Sequence, residues 1–585
     1  MPTKRLLQEE VSVPEAIVRV LEEAGIDLVF GMPGGNTMLI FDALYSHKST
    51  IRTVLVRHES FAGIMAQVYG RLTGKPGVAL GQGAFMLANA LLGVIEAHAG
   101  SSPMLLLADL SDNAPFSHHA PYQAGTGEYG NWDAKRSFSG VTKLTMESRE
   151  GAEAVQNTQL ALKHALSGEC GPVALLYHSA ALTGRVGPRT VPLLYSTQSY
   201  LPTPPPQTDP ASISAAVRAL REAERPVIIA GGGLRGDQAR MELEGLSEWI
   251  AAAVVTTASG KGAFFEDHPL AGGVFGTFGL PAANALVSDA DLLLVVGSKL
   301  APTDTARENP GLIDPSRQVL IQIDIEPKNA GWTFPCDHVV LGDAAAALAQ
   351  MKAALCDGGA LPAEKLDARR DWVEAARRKH GFFYGPEFQS EEVPLLPQRI
   401  IGEIRKALAD DAVIACDGGE NRLFMSRFYP IKRPGIFLSP GSTGAMGYAL
   451  PAALAAKLVY PDRPCVAVCG DGGFSMTLSA LMTACEEHIP IVAVVLNNSA
   501  LGWVKHFQKE RVIASEFPDQ DMAQIARAIG CRGFRVEQPG DLAGALVEAL
   551  AGDSPAVLDV RTSLRIGYED LISPLVGAGA FMFGR

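Results

Sequence analysis

The stretch CGDGGFSMTL, residues 469–478, ends an apolar run, Val466-Ala467-Val468-Cys469, at one acidic residue set among three glycines. The next segment, SMTLSALMTACEEHI, carries apolar residues at helical spacing. After Pro490 comes IVAVVLNN, a second short buried strand that stops at Asn497-Asn498. Strand, helix and strand make one right-handed crossover, so both polar turns emerge at the same carboxyl edge of a parallel sheet. That is the edge where open α/β sheets bind ligands. Asp471 offers carboxylate oxygen and Asn498 a carbonyl oxygen. Both are hard ligands suited to magnesium, which usually takes phosphate oxygens as well. The glycines admit a diphosphate close to the backbone, and the adjoining helix turns its N-terminus toward that anion. A lone Gly-Asp-Gly would favour a tight turn with Asp capping the helix; the paired asparagines tip the reading toward a ligand site.

Working outward, apolar strands alternate with amphipathic helices along all 585 residues, which predicts an α/β protein with parallel sheets covered by helices. Two breaks divide the chain. One is VPLLYSTQSYLPTPPPQTDP, residues 191–210, whose prolines sustain neither a helix nor a central strand. The other runs from about Asp357 to Pro397 and holds a charged helical piece, EKLDARRDWVEAARRKHG. Three doubly wound domains are therefore expected, at 1–190, 205–355 and 390–570. The first and third share a layout, a strand, a glycine-rich turn and an alanine-rich helix, as in GMPGGNTMLIFDAL and CGDGGFSMTLSALMTA. The middle one carries RPVIIAGGGLRGD, DLLLVVGSKL and QVLIQIDIEP.

The composition, 47% hydrophobic and 19% charged, suits large buried cores. A net charge of -13 argues against a nucleic-acid partner, although local dipoles still hold small anions. The eight cysteines show no C-x-x-C pair, and Cys465 and Cys469 share one face of a strand as core residues. That usage fits a reducing compartment. The N-terminus shows no signal peptide, and no apolar stretch reaches the roughly 18 residues of a membrane span. A soluble cytoplasmic protein, with no membrane partner, is the expectation.

Gly-Asp-Gly followed by Asn-Asn at this separation resembles the cofactor fingerprint of thiamine-diphosphate (ThDP) enzymes. VFGMPGGNTMLIFDAL, VRHESFAGIMAQVYGRLTGKPGVAL, VVTTASGKGAFFEDHPLAGGVFGTFG and GSTGAMGYALPAALAAKLVYPDRPCVAVCGDGGF resemble further segments of that family, in its order, over nearly the whole chain. The wording is nearest the acetolactate synthase-like group of 2-oxo acid decarboxylases and carboligases. The resemblance implies a catalytic role for Glu59 at the aminopyrimidine ring of the cofactor. It implies Asp471, Asn498 and the backbone oxygen of Ala500 as Mg²⁺ ligands. Gly419, Glu420 and Asn421 would meet the diphosphate, Glu420 being an awkward acidic neighbour for it. Met446 would wedge the cofactor into its bent form. Gly444, Gly470, Gly472, Gly473, Leu501 and Gly502 complete the implied cofactor site, and Trp503, Val504 and Phe507 the substrate pocket. Lys505 or His506 would either meet a substrate carboxylate or face water. The resemblance also implies a homodimer or homotetramer with the active site at a subunit interface.

His118-His119 resembles the paired histidines of pyruvate decarboxylases, which manage protons on intermediates. The chain departs from those enzymes at Gly35 and Val504, where they carry acids, and this counts against simple decarboxylation. It departs from acetolactate synthases at Gly81-Gln82-Gly83 and at Ala108-Asp109, where Gln82 is a candidate catalytic hydrogen-bond donor. In the middle domain GGGLRGD and Asp324 leave FAD, ADP or no nucleotide open. The expectation is a ThDP- and Mg²⁺-dependent enzyme that decarboxylates a 2-oxo acid and passes the acyl-anion equivalent to a carbonyl acceptor. The alternatives are a non-ligating decarboxylase or C–C lyase and, more remotely, a flavin or nicotinamide oxidoreductase or a non-catalytic paralogue.

Overall fold

The computed structural model describes residues 3–112, 123–128, 130–201 and 207–574. Three six-stranded, wholly parallel sheets account for nearly all the strands described. Strands Met104–Asp109, Pro172–Tyr177, Leu292–Val296 and Val492–Asn497 are buried at every position. That is why their sequences read as unbroken apolar runs: helices cover both faces.

With the strands of each sheet counted in chain order, the first sheet runs 2-1-3-4-6-5 from Arg52–Leu55 at one edge to Leu144–Ser148 at the other. The third sheet, from Ile436–Leu438 to Arg532–Val536, repeats this order. The layout shared by the two sequence blocks is thus a shared topology. The middle sheet runs 3-2-1-4-5-6, from Ala271–Val274 to His338–Leu341, the arrangement of dinucleotide-binding folds.

The chain packs as two compact units. One is built on the first sheet and includes Leu454–Pro461 and Thr477–Ile489; the other is built on the second and third sheets. In the first unit, helix Glu59–Thr73 lies directly on helix Leu91–Ala99. A Cβ on Gly93 would fall 2.1 Å from the carbonyl carbon of Gly63, so the two backbones touch only because both positions lack side chains. This contact fixes the helix that begins at Glu59.

In the second unit, the charged stretch read as a break contains an 18-residue helix, Ala363–His380. Its Val373 joins Ala283 and Leu286 in the core beside the middle sheet. Its Arg369 is 1% exposed and donates to the carbonyls of Leu220, Ala223 and Ile250. The single helix expected after Gly473 is two, Asp471–Met476 in this unit and Ala480–Glu486 in the first. A tightened turn separates them, with Ala480 and Met482 donating to the carbonyls three residues back, Thr477 and Ser479. The first helix starts at Asp471 itself.

Candidate active site

In the third sheet the chain leaves strand Val413–Cys416 for Ile436–Leu438 on one side, then returns to Cys465–Gly470 on the other. A crevice must open between the turns after the first and third of these strands. It is a cleft walled by Gly418–Asn421 and Gly470–Gly473 and extended by the turns after the next two strands, Val492–Asn497 and Ala556–Arg561. Helices Glu420–Phe428, Asp471–Met476 and Gly502–Gln508 all begin at its lining.

Asp471 is 3% exposed. Its Oδ1 accepts the N–H of Gly472 at 2.8 Å, while Oδ2 is buried without a partner. Burial pushes this carboxyl up to about 6, against the lowering effect of the N–H groups of Gly472, Ser499 and Ala500. The Oδ1 of Asn498, on the same lining, accepts the N–H of Ala500 at 3.1 Å. An orphaned buried carboxylate oxygen costs about 1–3 kcal/mol, and a bound cation reverses that cost.

Asp417 closes the strand before the other wall and is wholly buried. It accepts N–H groups from Gly447 at 3.0 Å, Tyr448 at 2.7 Å and Ala449 at 3.3 Å. Burial still pushes it up to about 6. A Cβ on Gly473 would sit 1.9 Å from its Oδ2, so glycine is obligatory there. Asp417 thereby fixes the turn after Met446, whose Cε lies 3.0 Å from where a Cβ on Gly472 would be. Leu501 packs on the same glycine. Asn421 turns its amide onto the Gly418 carbonyl at 3.0 Å.

Gly470, Gly502 and Ala500 line the cleft, as do Gly419, Trp503 and Val504. Trp503 stacks on Tyr568, ring centroids 4.8 Å apart, with Phe278 edge-on at 5.6 Å. Gly444 stands behind the lining, its carbonyl against Gly418. Phe507 is 45% exposed and outside the lining. Lys505 and His506 do not simply face water: Lys505 pairs with Glu516, and His506 with Glu420. Glu420 and Asp471 are the charged residues of the lining, with no Lys, Arg or His among them. A negatively charged occupant therefore depends on a cation and on backbone N–H groups.

In the first unit, Glu59 is 8% exposed and its Oε2 accepts from Asn89 Nδ2 at 2.7 Å. Gln82 donates both amide hydrogens, to Gln123 Oε1 at 2.7 Å and to Ser111 Oγ at 3.2 Å. Asp109 takes the N–H of Asn36 at 2.9 Å and of Gly83 at 3.1 Å. His118 and His119 lie outside the described residues. In the middle sheet Gly233 donates to the carbonyl of Gly297 at 2.9 Å, so the glycine cluster closes one loop on another. Asp324 is occupied by the Glu326 N–H at 3.0 Å.

The same residues match models of three domains, described as thiamine pyrophosphate enzyme N-terminal TPP binding domain (residues 11–126), central domain (213–351) and C-terminal TPP binding domain (417–560). The chain belongs to the thiamine pyrophosphate enzyme family. Among its relatives, the acetolactate synthase isozyme 3 large subunit of Escherichia coli is 31% identical over 556 residues, covering 93% of this chain and 92% of that one. A probable acetolactate synthase large subunit of Methanocaldococcus jannaschii is 30% identical over 562 residues, covering 93% and 91%. The acetolactate synthase large subunit of Corynebacterium glutamicum is 30% identical over 585 residues, covering 98% and 89%. This thiamine pyrophosphate enzyme is accordingly a ThDP-dependent enzyme of the acetolactate synthase-like carboligase group. The unpartnered Asp471 oxygen, the Asn498 carbonyl and the side-chain-free wall at Gly472-Gly473 fit a diphosphate held through a divalent cation.

Among the described residues, no helix is long and apolar enough to cross a membrane. Sequence reasoning missed Asp417 and Tyr568. Asp417 had a usable signal: C-D-G-G at 416–419 echoes the strand-end acid and glycines of C-G-D-G-G at 469–473.

Proposed function

We propose that this enzyme decarboxylates a 2-oxo acid and joins the resulting acyl-anion equivalent to a carbonyl acceptor, with pyruvate as the first donor to test. The observation that carries the reading is the cleft itself: a buried carboxylate oxygen without a partner, a neighbouring amide oxygen and no cationic lining side chain. Asp471, Asn498 and the Ala500 carbonyl would hold Mg²⁺, and the N–H groups around Gly419 and Gly472 would receive the diphosphate. When bound, ThDP supplies a carbon nucleophile and an electron sink for decarboxylation. Glu59 would hold a proton at the aminopyrimidine nitrogen of the cofactor. Met446 and Leu501 exclude water from one wall, and Trp503 and Val504 shape the acyl pocket.

The names of the relatives favour ligation over release of an aldehyde. The resemblance further supports an assembly of at least two subunits, with Glu59 and Asp471 of one site on different chains. The test is product analysis after supplying pyruvate, with ThDP and Mg²⁺ present, singly omitted and both omitted. Acetolactate formed only with both cofactors is the expected result. Acetaldehyde in its place would replace the carboligase reading by the decarboxylase one, and turnover indifferent to ThDP would overturn both.

A further inference from the structure

Glu420 lines the cleft, yet its carboxylate is only 6% exposed. Its Oε1 accepts the N–H of Tyr568 at 2.8 Å and lies 2.7 Å from Nδ1 of His506. The other ring nitrogen of His506, Nε2, lies 2.8 Å from the carbonyl oxygen of Leu564. A backbone carbonyl only accepts, so Nε2 carries a hydrogen. In a neutral imidazole that would leave the Nδ1 lone pair facing a carboxylate oxygen. The 2.7 Å contact is attractive only with a proton between the two atoms.

The surroundings favour that proton. Gly567 backs the ring, where a Cβ would fall 2.5 Å from Nδ1. On its own helix Lys505 is paired with Glu516, and just past that helix Lys509 lies 3.9 Å from Glu569. From the segment packed on the ring, Asp570 adds negative charge while accepting the Gly567 N–H at 2.9 Å. Arg565 on that segment is paired with Glu392, and Arg427, on the helix that carries Glu420, donates to the Leu571 carbonyl. The hydrogen bond to Glu420 holds the imidazole above its ordinary value despite burial.

We propose that Glu420 and His506 hold one proton between them and that tight binding of the anionic end of ThDP requires it. The inference rests on the reading of the cleft as the ThDP site. Of the two lining carboxylates, Asp471 is offset by the cation, and the shared proton offsets Glu420. His506 is a positioning residue, acting on the cofactor through Glu420. Loss of the proton leaves an uncompensated negative charge beside the diphosphate.

The sign comes from linkage. His506 is protonated at low pH, so affinity is highest there and falls as pH rises through its raised pKa, by up to about tenfold per pH unit. The experiment is calorimetric titration of the full-length protein with ThDP at saturating Mg²⁺, from pH 7 to 9.5. The wild type is expected to weaken with pH. Glu420→Gln is expected to bind with a flat profile, and His506→Gln to bind weakly throughout. Combining the two is expected to restore affinity, which a purely structural histidine would not allow. A flat wild-type profile, or a double variant as weak as His506→Gln, overturns the proposal. Absence of ThDP binding by the wild type at every pH overturns the cleft assignment, and the dyad with it.

Discussion

At the residue scale, Asp417 has the most to lose. Three backbone N–H groups converge on its two oxygens, and each oxygen acts as an acceptor. Asparagine has nearly the same shape but brings an NH₂ group where only acceptors fit. Asp417→Asn is expected to cost about 2 kcal/mol, from one lost bond and one donor left facing a donor. Urea denaturation measures this. Because the turn it holds comes directly after Met446, ThDP affinity is expected to fall in the same variant, and unchanged affinity would show that the turn does not shape the cleft. The contrast with Asp471 is instructive. Both aspartates are raised to about 6 by burial. Asp417 has both oxygens occupied by the protein, whereas Asp471 keeps one without a partner. The first organises the wall, and the second is the one the proposed function assigns to a cation.

At the element scale, Ala363–His380 shows how a helix that reads as a linker becomes part of a core. More than half of its residues are charged, and only Arg369 and Val373 are buried. Arg369 reaches the carbonyls at the C-terminal ends of two other helices, Pro210–Glu222 and Gly236–Ile250. Those carbonyls have no partner within their own helices, and a cation there also complements the helix dipoles. Arg369→Met is expected to destabilise the protein by about 3 kcal/mol, through at least two buried carbonyls left without donors. Denaturant unfolding followed by circular dichroism measures it, with Arg369→Lys recovering part of the loss. A shift below about 0.5 kcal/mol would show that the carbonyls find water instead. No periodicity signals such a residue: its partners lie more than a hundred positions away, and an arginine in a charged helix reads as a solvated one.

At the scale of the whole molecule, legibility in the sequence tracks the range of the interaction. Local patterning shows the three sheets, because strands buried on both faces must be apolar from end to end. The Asp471 and Asn498 turns were legible for the same reason, since a crossover returns both to one edge. The Glu420–His506 contact was not, because it joins helices separated by three strands of sequence and depends on how a helix rotates. The shared 2-1-3-4-6-5 order of the first and third sheets has a further consequence. That order puts the switch in chain direction between the first and third strands of each sheet, and the residues implied by the family resemblance divide between the sheets, Glu59 with the first and Asp471 with the third. If the site takes these halves from different subunits, no active species runs at the monomer mass of 61.9 kDa. Complementation then tests the division directly. Glu59→Gln and Asp471→Asn are each expected to be inactive alone. Co-expressed at equal levels, they form mixed dimers in which one site carries both substitutions and the other carries neither. With random pairing, about a quarter of wild-type activity is expected to return, since half the dimers are mixed and half their sites intact. A site drawn from one chain predicts no recovery, because every site would then keep one lesion.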